Sequence, residues 1–159
     1  MNEPETEYPI ILFRFDVMFQ RVTLGAGGTP TEESVGHGSF SECTGLEATM
    51  EPKVIKSGGS NYGPAQRVGP VTFGTVVLKR GITSNRDLWN SFSRSRERGF
   101  STVRFKVSIA VKGVGGNVEF TATLQRALPI KFKCGDLNAR TTEVGIEELH
   151  LAHEGLTFA

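Results

Sequence analysis

The chain has 159 residues, 38% of them apolar and 22% charged, with a net charge of +1. That length and apolar content suit one domain over residues 1–159 with its own hydrophobic core, and they exclude a disordered chain. The charge is uneven: residues 1–51 carry nine acids and two bases, residues 52–112 twelve bases and two acids, and residues 113–159 six acids and four bases. Association of unlike surfaces on neighbouring copies and neutralisation within one fold both fit this distribution.

Met1–Pro9 carries Glu3, Glu5 and Glu7 and no basic stretch. It is therefore read as a flexible arm rather than a signal peptide, and folding in the cytosol is expected. Cys43 and Cys134 are then expected to be reduced thiols. Ile11, Phe13, Phe15, Val17 and Phe19 share one parity and Arg14, Asp16, Met18 and Gln20 the other, which predicts a half-buried strand. Leu24–Gly38, rich in Gly, Thr, Pro and Glu, is expected to be a surface loop. Ser39–Lys56 reads as extended and polar on both parities, with a break at Thr44–Gly45. Pro52 argues against a central ladder position there. Ser57–Pro70 is punctuated by Gly and Pro and is expected to be a long loop, of a length that is usually functional. Val71–Leu78 reads as one strand, far too short to span a bilayer as a helix.

Ser84 and Asp87 fit a capping box that opens one helix, with Gly99 as its C-cap. Leu88, Trp89 and Phe92 supply its apolar face, which is expected to pack on the sheet, while Arg94, Arg96 and Arg98 crowd its end. Val103, Phe105, Val107, Ile109 and Val111 then alternate with polar residues, as do Val118, Phe120, Ala122 and Leu124 after Gly113–Gly116. These predict a hairpin with Val111 opposite Val118, Ile109 opposite Phe120, Val107 opposite Ala122 and Phe105 opposite Leu124. Its other face, with Arg104, Lys106, Ser108, Glu119, Thr121 and Thr123, is expected to meet water. Ala127–Phe158 reads as a short β-prone run, a polar loop at Cys134–Asn138 and a last strand. In that strand Val144 and Ile146 share one face and Leu149 and Leu151 the other, so a bulge is expected near Glu147–Glu148.

Chemistry is hard to place on this chain. His150 and His153 point to opposite faces of a strand, which does not suit a shared metal. Glu147 and Glu148 are adjacent and therefore diverge, unlike a catalytic carboxylate pair. The glycine groups at 25–28 and 113–116 follow strands but no helix follows them, so turn formation explains them better than phosphate binding. The basic helix end fits dipole complementarity at least as well as nucleic-acid contact. No catalytic residue, metal ligand or cofactor is expected.

Several segments carry a resemblance when taken together. They are FRFDVMF (Phe13–Phe19), GSFSECTGLEATMEPKVIKSGGSN (Gly38–Asn61), GPVTFGTVVLKRGITSNRDLWNSF (Gly69–Phe92) and LPIKFKCGDLNARTTEVGIEELHLAHEGL (Leu128–Leu156). The most specific parts are the Leu78–Gly81 turn, the Asp136–Asn138 loop, and Glu147–Leu149 with Ala152–Leu156. From Phe13 to Phe158 the chain resembles the tail tube proteins of contractile phage tails and phage tail-like contractile injection systems.

The resemblance implies a mainly β fold, a barrel or sandwich with one flanking helix. It implies homohexameric rings that stack into a hollow tube inside a contractile sheath. The implied partners are further copies of the chain, the sheath protein, baseplate or tube-initiator proteins, terminator proteins, a tape measure protein, and a luminal cargo protein or phage DNA. Stable membrane insertion by the monomer is not expected. Assembly in the bacterial cytoplasm and a final place in a phage tail or released particle are. A tube-initiator or baseplate-proximal paralogue, and a ring protein of a related membrane-anchored secretion system, are the close alternatives. A small-ligand barrel is a more distant one.

On this reading Lys56, Ser57, Gly58, Gly59, Tyr62 and Arg67 of the long loop are candidates for ring stacking. Glu147, Glu148, His153 and Glu154 are candidates for setting subunit register. Arg104, Lys106, Ser108, Glu119, Thr121 and Thr123 are lumen candidates, and Leu88, Trp89 and Phe92 are helix-packing residues. Leu24–Gly38 is expected to be an outer loop, longer than the family's turn at that place.

Overall fold

The computed structural model describes residues 8–24, 30–56, 58–59, 61–97 and 103–159, the side chains of residues 13, 24 and 97 excepted. The alternating segment near the start forms β1 (Leu12–Leu24), with Val17 and Phe19 buried and Met18 exposed. It pairs antiparallel with β2 (Pro30–Ser39). Most of the expected Leu24–Gly38 loop is therefore strand. β2 is mostly exposed and lacks an apolar face, so no alternation marked it. The backbone ladder to β1 holds it instead. The glycine group at 25–28 lies outside the described residues.

After Phe40 the chain enters β3 (Glu42–Thr44), then β4 (Ala48–Met50) and β5 (Lys53–Ile55), and returns through β6 (Ala65–Arg67) and β7 (Val71–Phe73). β4 pairs with β7 and β5 with β6, each as a separate two-stranded ribbon. The expected long loop is thus the returning limb of an extended hairpin arm, with Pro52 between its two ribbons. Gly45 marks the break before the arm. Its φ is 86°, and a Cβ there would lie 2.0 Å from the Thr75 carbonyl oxygen, so only glycine fits. The expected single strand Val71–Leu78 is two strands in different sheets, because Gly74 donates its N–H to Glu47 and turns the chain out of the arm. The chain then enters β8 (Val76–Gly81), so the Leu78–Gly81 segment is strand and not turn.

Helix α1 spans Asp87–Glu97. Its cap is Asn85 rather than Ser84: the side-chain carbonyl oxygen of Asn85 accepts the Asp87 N–H at 3.1 Å. The expected Gly99 cap and Arg98 lie outside the described residues. The hairpin forms from β9 (Val103–Gly113) and β10 (Val118–Cys134), but its register differs from the expected one by two residues from Val111 to Val107 and by three at Phe105. Val111 faces Phe120, Ile109 faces Ala122, Val107 faces Leu124 and Phe105 faces Ala127. A bulge at Val118–Phe120 takes up the offset. Up to Leu124 the shift preserves parity and both faces keep their residues; a second irregularity between Leu124 and Ala127 then moves β10 to the other parity, with Ala127 and Pro129 inward. β11 (Ile146–Ala152) contains no bulge; Glu147, Leu149 and Leu151 all point inward while Ile146 is exposed. β12 (Gly155–Phe158) returns along β10.

All strand pairs are antiparallel, in the path β2-β1-β9-β10-β11-β8-β3, with β12 on β10. β10 belongs to two sheets. Its first half pairs with β9 and β12 and its second half with β11. Between the halves Arg126 adopts φ 50°, where the strand bends. One sheet is β2-β1-β9-β10-β12 and the other β10-β11-β8-β3. Their inner faces enclose one core that includes Val17, Phe105, Ile109 and Leu124 on one side and Val76, Leu78, Leu149 and Leu151 on the other. The free ends of the path come together at Phe40, which is buried between β2 and β3 and contacts Phe19. This is a β-sandwich closed nearly to a barrel, with α1 packed against β10.

Candidate assembly surfaces

The arm carries the most unusual surface. Met50, Val54, Ile55, Tyr62, Val68 and Val71 are all exposed, Tyr62 completely. Lys53, Lys56 and Arg67 accompany them, and no acid occurs between residues 52 and 86. A lone two-stranded ribbon is marginal in water, and apolar residues along one need cover. Of the stacking candidates, Lys56, Gly58, Gly59, Tyr62 and Arg67 all lie exposed on the outer half of this arm. Ser57 falls outside the described residues. The arm is anchored at its base, where the Phe73 ring lies 5.2 Å from His153. His153 Nδ1 donates to the Gly155 carbonyl at 2.9 Å. His153 is therefore a hinge-side packing group and not an open surface position.

The polar face of the first sheet brings together the lumen candidates. Arg104, Lys106 and Ser108 alternate with buried neighbours along β9, and Thr121 and Thr123 do so along β10. Ser108 lies opposite Thr123, while Glu119 sits in the bulge and is exposed. Lys106 pairs with Glu32 at 3.2 Å and Lys112 with Asp16 at 2.5 Å. The hydrogen bond from Lys112 holds the Asp16 carboxyl below its ordinary pKa of 3.8.

The outer face of the second sheet carries a row of alternating charge across four strands. Glu148 stands between Lys133 and Lys79, and Lys79 between Glu148 and Glu42. Lys79 reaches Glu42 at 3.1 Å. Glu148 accepts from His150 at 3.2 Å, and that bond lowers its pKa from 4.5, aided by the lysines. Beyond the end of the strand, Glu154 pairs with Arg126 at 2.5 Å, both more than half exposed.

Glu147 does not belong with these. It is 5% exposed, and its Oε1 accepts from Arg80 Nε at 2.5 Å inside the core. The Arg80 guanidinium also lies 5.6 Å from the centre of the Phe40 ring. Glu147 is thus an interior partner and is unavailable for setting subunit register. Inward parity continues straight through it, which is why the expected bulge is absent.

On α1, Leu88 is buried, while Trp89 is 45% exposed and meets Phe132 edge-on at 5.5 Å and Phe92 at 5.9 Å. The buried stripe is Leu88, Ser91 and Ser95. Ser95 satisfies its hydroxyl on the Ser91 carbonyl at 2.9 Å, so two serines join the expected Leu88, Trp89 and Phe92 on the side of the helix that meets the sandwich. At the β9–β10 turn end of the sandwich a cleft of about 550 Å³ opens between Phe15, Phe40, Cys43, Leu46 and Phe120. Burial pushes the Cys43 thiol up to about 11.

With this geometry in place the comparisons are specific. Residues 12–157 match the family described as T4-like virus tail tube protein gp19. The chain belongs to that family of tail tube proteins, which is structural and not enzymatic. It is similar to a chain of the 6-fold symmetrised cryo-EM structure of the anti-feeding prophage baseplate, with 27% identity, a TM-score of 0.76 and 97% of each chain covered. A chain of the sheath-tube complex of an extracellular contractile injection system, PVC, in its extended state shares the fold at 17% identity and a TM-score of 0.72, over 97% of this chain and 93% of that one. Hcp1 from Flavobacterium johnsoniae shares it at 11% identity and a TM-score of 0.51, over 92% and 95%. No curated protein matches. The mainly β fold with one helix is the tail tube fold, and the protein is a tail tube subunit of a contractile phage tail or injection particle.

Proposed function

We propose that six copies of this chain form a ring, and that rings stack into a hollow tube within a sheath. The observation that carries this reading is the arm, whose apolar residues are exposed in the single subunit and would be covered by another copy in a stack. The two outer strands of the first sheet, β2 and β12, each pair on one side only among the described residues. Joining such edges between neighbours closes a ring and removes exposed strand edges. The polar face of that sheet then lines the lumen, with Arg104, Lys106, Ser108, Glu119, Thr121 and Thr123 facing the cargo protein or DNA. Glu148, Glu154 and His150 lie on faces left for neighbouring subunits and sheath. Sheath, baseplate or initiator, terminator and tape measure proteins are the expected partners, and the bacterial cytoplasm is the expected place of assembly. No helix among the described residues is long and apolar enough to cross a membrane.

Deleting Tyr62–Arg67 is expected to leave a folded subunit that no longer stacks, read by circular dichroism and negative-stain microscopy. Tubes of normal length from the deletion variant would refute the role of the arm. A second reading, a baseplate-proximal ring, is favoured by the 27% identity to a chain from a baseplate structure against 17% for one from a sheath-tube complex. Such a protein forms single rings that do not elongate.

A further inference from the structure

The interior Arg80–Glu147 pair leaves one polar atom without a match. Arg80 is 8% exposed, and its Nη2 is buried with no acceptor among the described residues. A buried charged donor left in that state is costly. The guanidinium borders a small cavity beneath β2, which leaves about 10 Å³ for the centre of a water-sized molecule. Phe19, Phe40 and Leu88 wall this space, and Asp87 and Ser91, one turn apart on α1, reach it from the other side. Gly36 and Gly38 share the inward parity of β2, opposite Phe19 and Val17. Each overlies one of the charged groups. A Cβ at Gly38 would stand 3.3 Å from Arg80 Nη1, and one at Gly36 would stand 3.9 Å from Asp87 Oδ2.

Size and charge select the occupant. The space is about what one water molecule needs, and a buried water needs two or more polar partners. Arg80 is already paired with Glu147, and the Asp87 carboxylate borders the same space, so a further anion is repelled. The guanidinium donor repels a cation in the same way. A neutral molecule that accepts from Arg80 and donates to Asp87 suits both groups.

We infer that this cavity holds one ordered water, which accepts a hydrogen bond from Arg80 Nη2 and donates one to the Asp87 carboxylate. Arg80 then has two anionic partners, Glu147 directly and Asp87 through the water. A bridge of this kind is nearly as favourable as a direct hydrogen bond. It ties the first turn of α1 to the ion pair between β8 and β11, with β2 as its cover. The site is complete within one subunit and does not depend on the tube.

Gly36→Ala tests the water by the sign of its effect. Gly36 lines the cavity, its φ is outside the left-handed region, and the new methyl meets Asp87 at an ordinary contact distance. In a dry cavity the substitution is therefore neutral or stabilising. With the water present the methyl displaces it and strands Arg80 Nη2, so the unfolding equilibrium constant in urea is expected to rise about tenfold. In the Arg80→Met, Glu147→Leu background no buried donor is left to strand, and the same methyl is expected to change that constant by less than about twofold. An unchanged or lower constant in the wild-type background overturns the inference. So does an equal rise in both backgrounds, which marks a steric effect. A crystal structure at about 1.8 Å is expected to show a single density peak in hydrogen-bonding reach of both Arg80 Nη2 and Asp87. An empty cavity, a direct Arg80–Asp87 contact, or an anomalous bromide peak there after soaking overturns it as well.

Discussion

Arg80 and Glu147 meet across sixty-seven residues of sequence in the interior of the sandwich, at 2.5 Å. Removing one partner leaves the other charge buried and unpaired. Glu147→Ala is therefore expected to destabilise the subunit by about 3–5 kcal/mol in urea unfolding. The double variant Arg80→Met with Glu147→Leu is expected to recover most of that loss; no recovery would mean that the charge pair is not what the site requires. Local pattern could not reveal this contact, because Glu147 sits in a run of carboxylates and its partner lies on β8. Two half-buried carboxylates carry the pH dependence. The folded-state pKa of Asp16 lies below 3.8 through Lys112, and that of Glu148 below 4.5 through His150. Groups depressed in this way stabilise the fold above their unfolded values, and that stability is lost as pH falls through the folded values. The melting temperature of the monomer is expected to decline on acidification below those ordinary values. The decline should be shallower in Asp16→Asn with Glu148→Gln, and because both groups still reach solvent the effect is partly screened by salt. An identical acid slope in that variant would contradict the assignment.

Element by element, the strands with strict alternation were the readable ones. β1, β9 and the first half of β10 each bury one parity, and those faces held even where the β9–β10 register moved by two. Register depends on the bulge at Val118–Phe120, a backbone feature with no apolar signature. β2 and the arm strands lie outside the core, so burial never imposed a period on them, and their glycines and prolines read as loop. The helix was visible from its apolar residues, and Ser91 and Ser95 share its buried side, where Ser95 bonds the Ser91 carbonyl one turn back. The cap also moved, from Ser84 to Asn85. Asn85→Ala is expected to cost about 1 kcal/mol in thermal or urea unfolding, and Ser84→Ala close to nothing; equal costs would restore Ser84 as the cap. The arm should behave in the opposite way. Losing Tyr62–Arg67 should barely change the stability of the monomer, since those residues are exposed, yet it should abolish stacking.

For the whole molecule, the family was recognisable from scattered segments, whereas the surfaces that assemble it were only partly so. Lys56, Tyr62 and Arg67 lie exposed on the arm, while Glu147 turned into the core and His153 toward the base of the arm. The cleft escaped notice because its residues come from β1, β3, β9 and β10 and meet only in the fold. Folded, the chain is a sandwich with open strand edges at β2, β3 and β12 among the described residues, a polar sheet face and an uncovered arm. Each of these is unfavourable or unexplained in isolation and is accounted for by a ring that stacks. The direct measurement is electron microscopy of the purified protein at high concentration, with sedimentation velocity on the same sample. The account predicts six-fold rings that elongate into hollow tubes; a strict monomer at every concentration, with neither rings nor tubes, would contradict it.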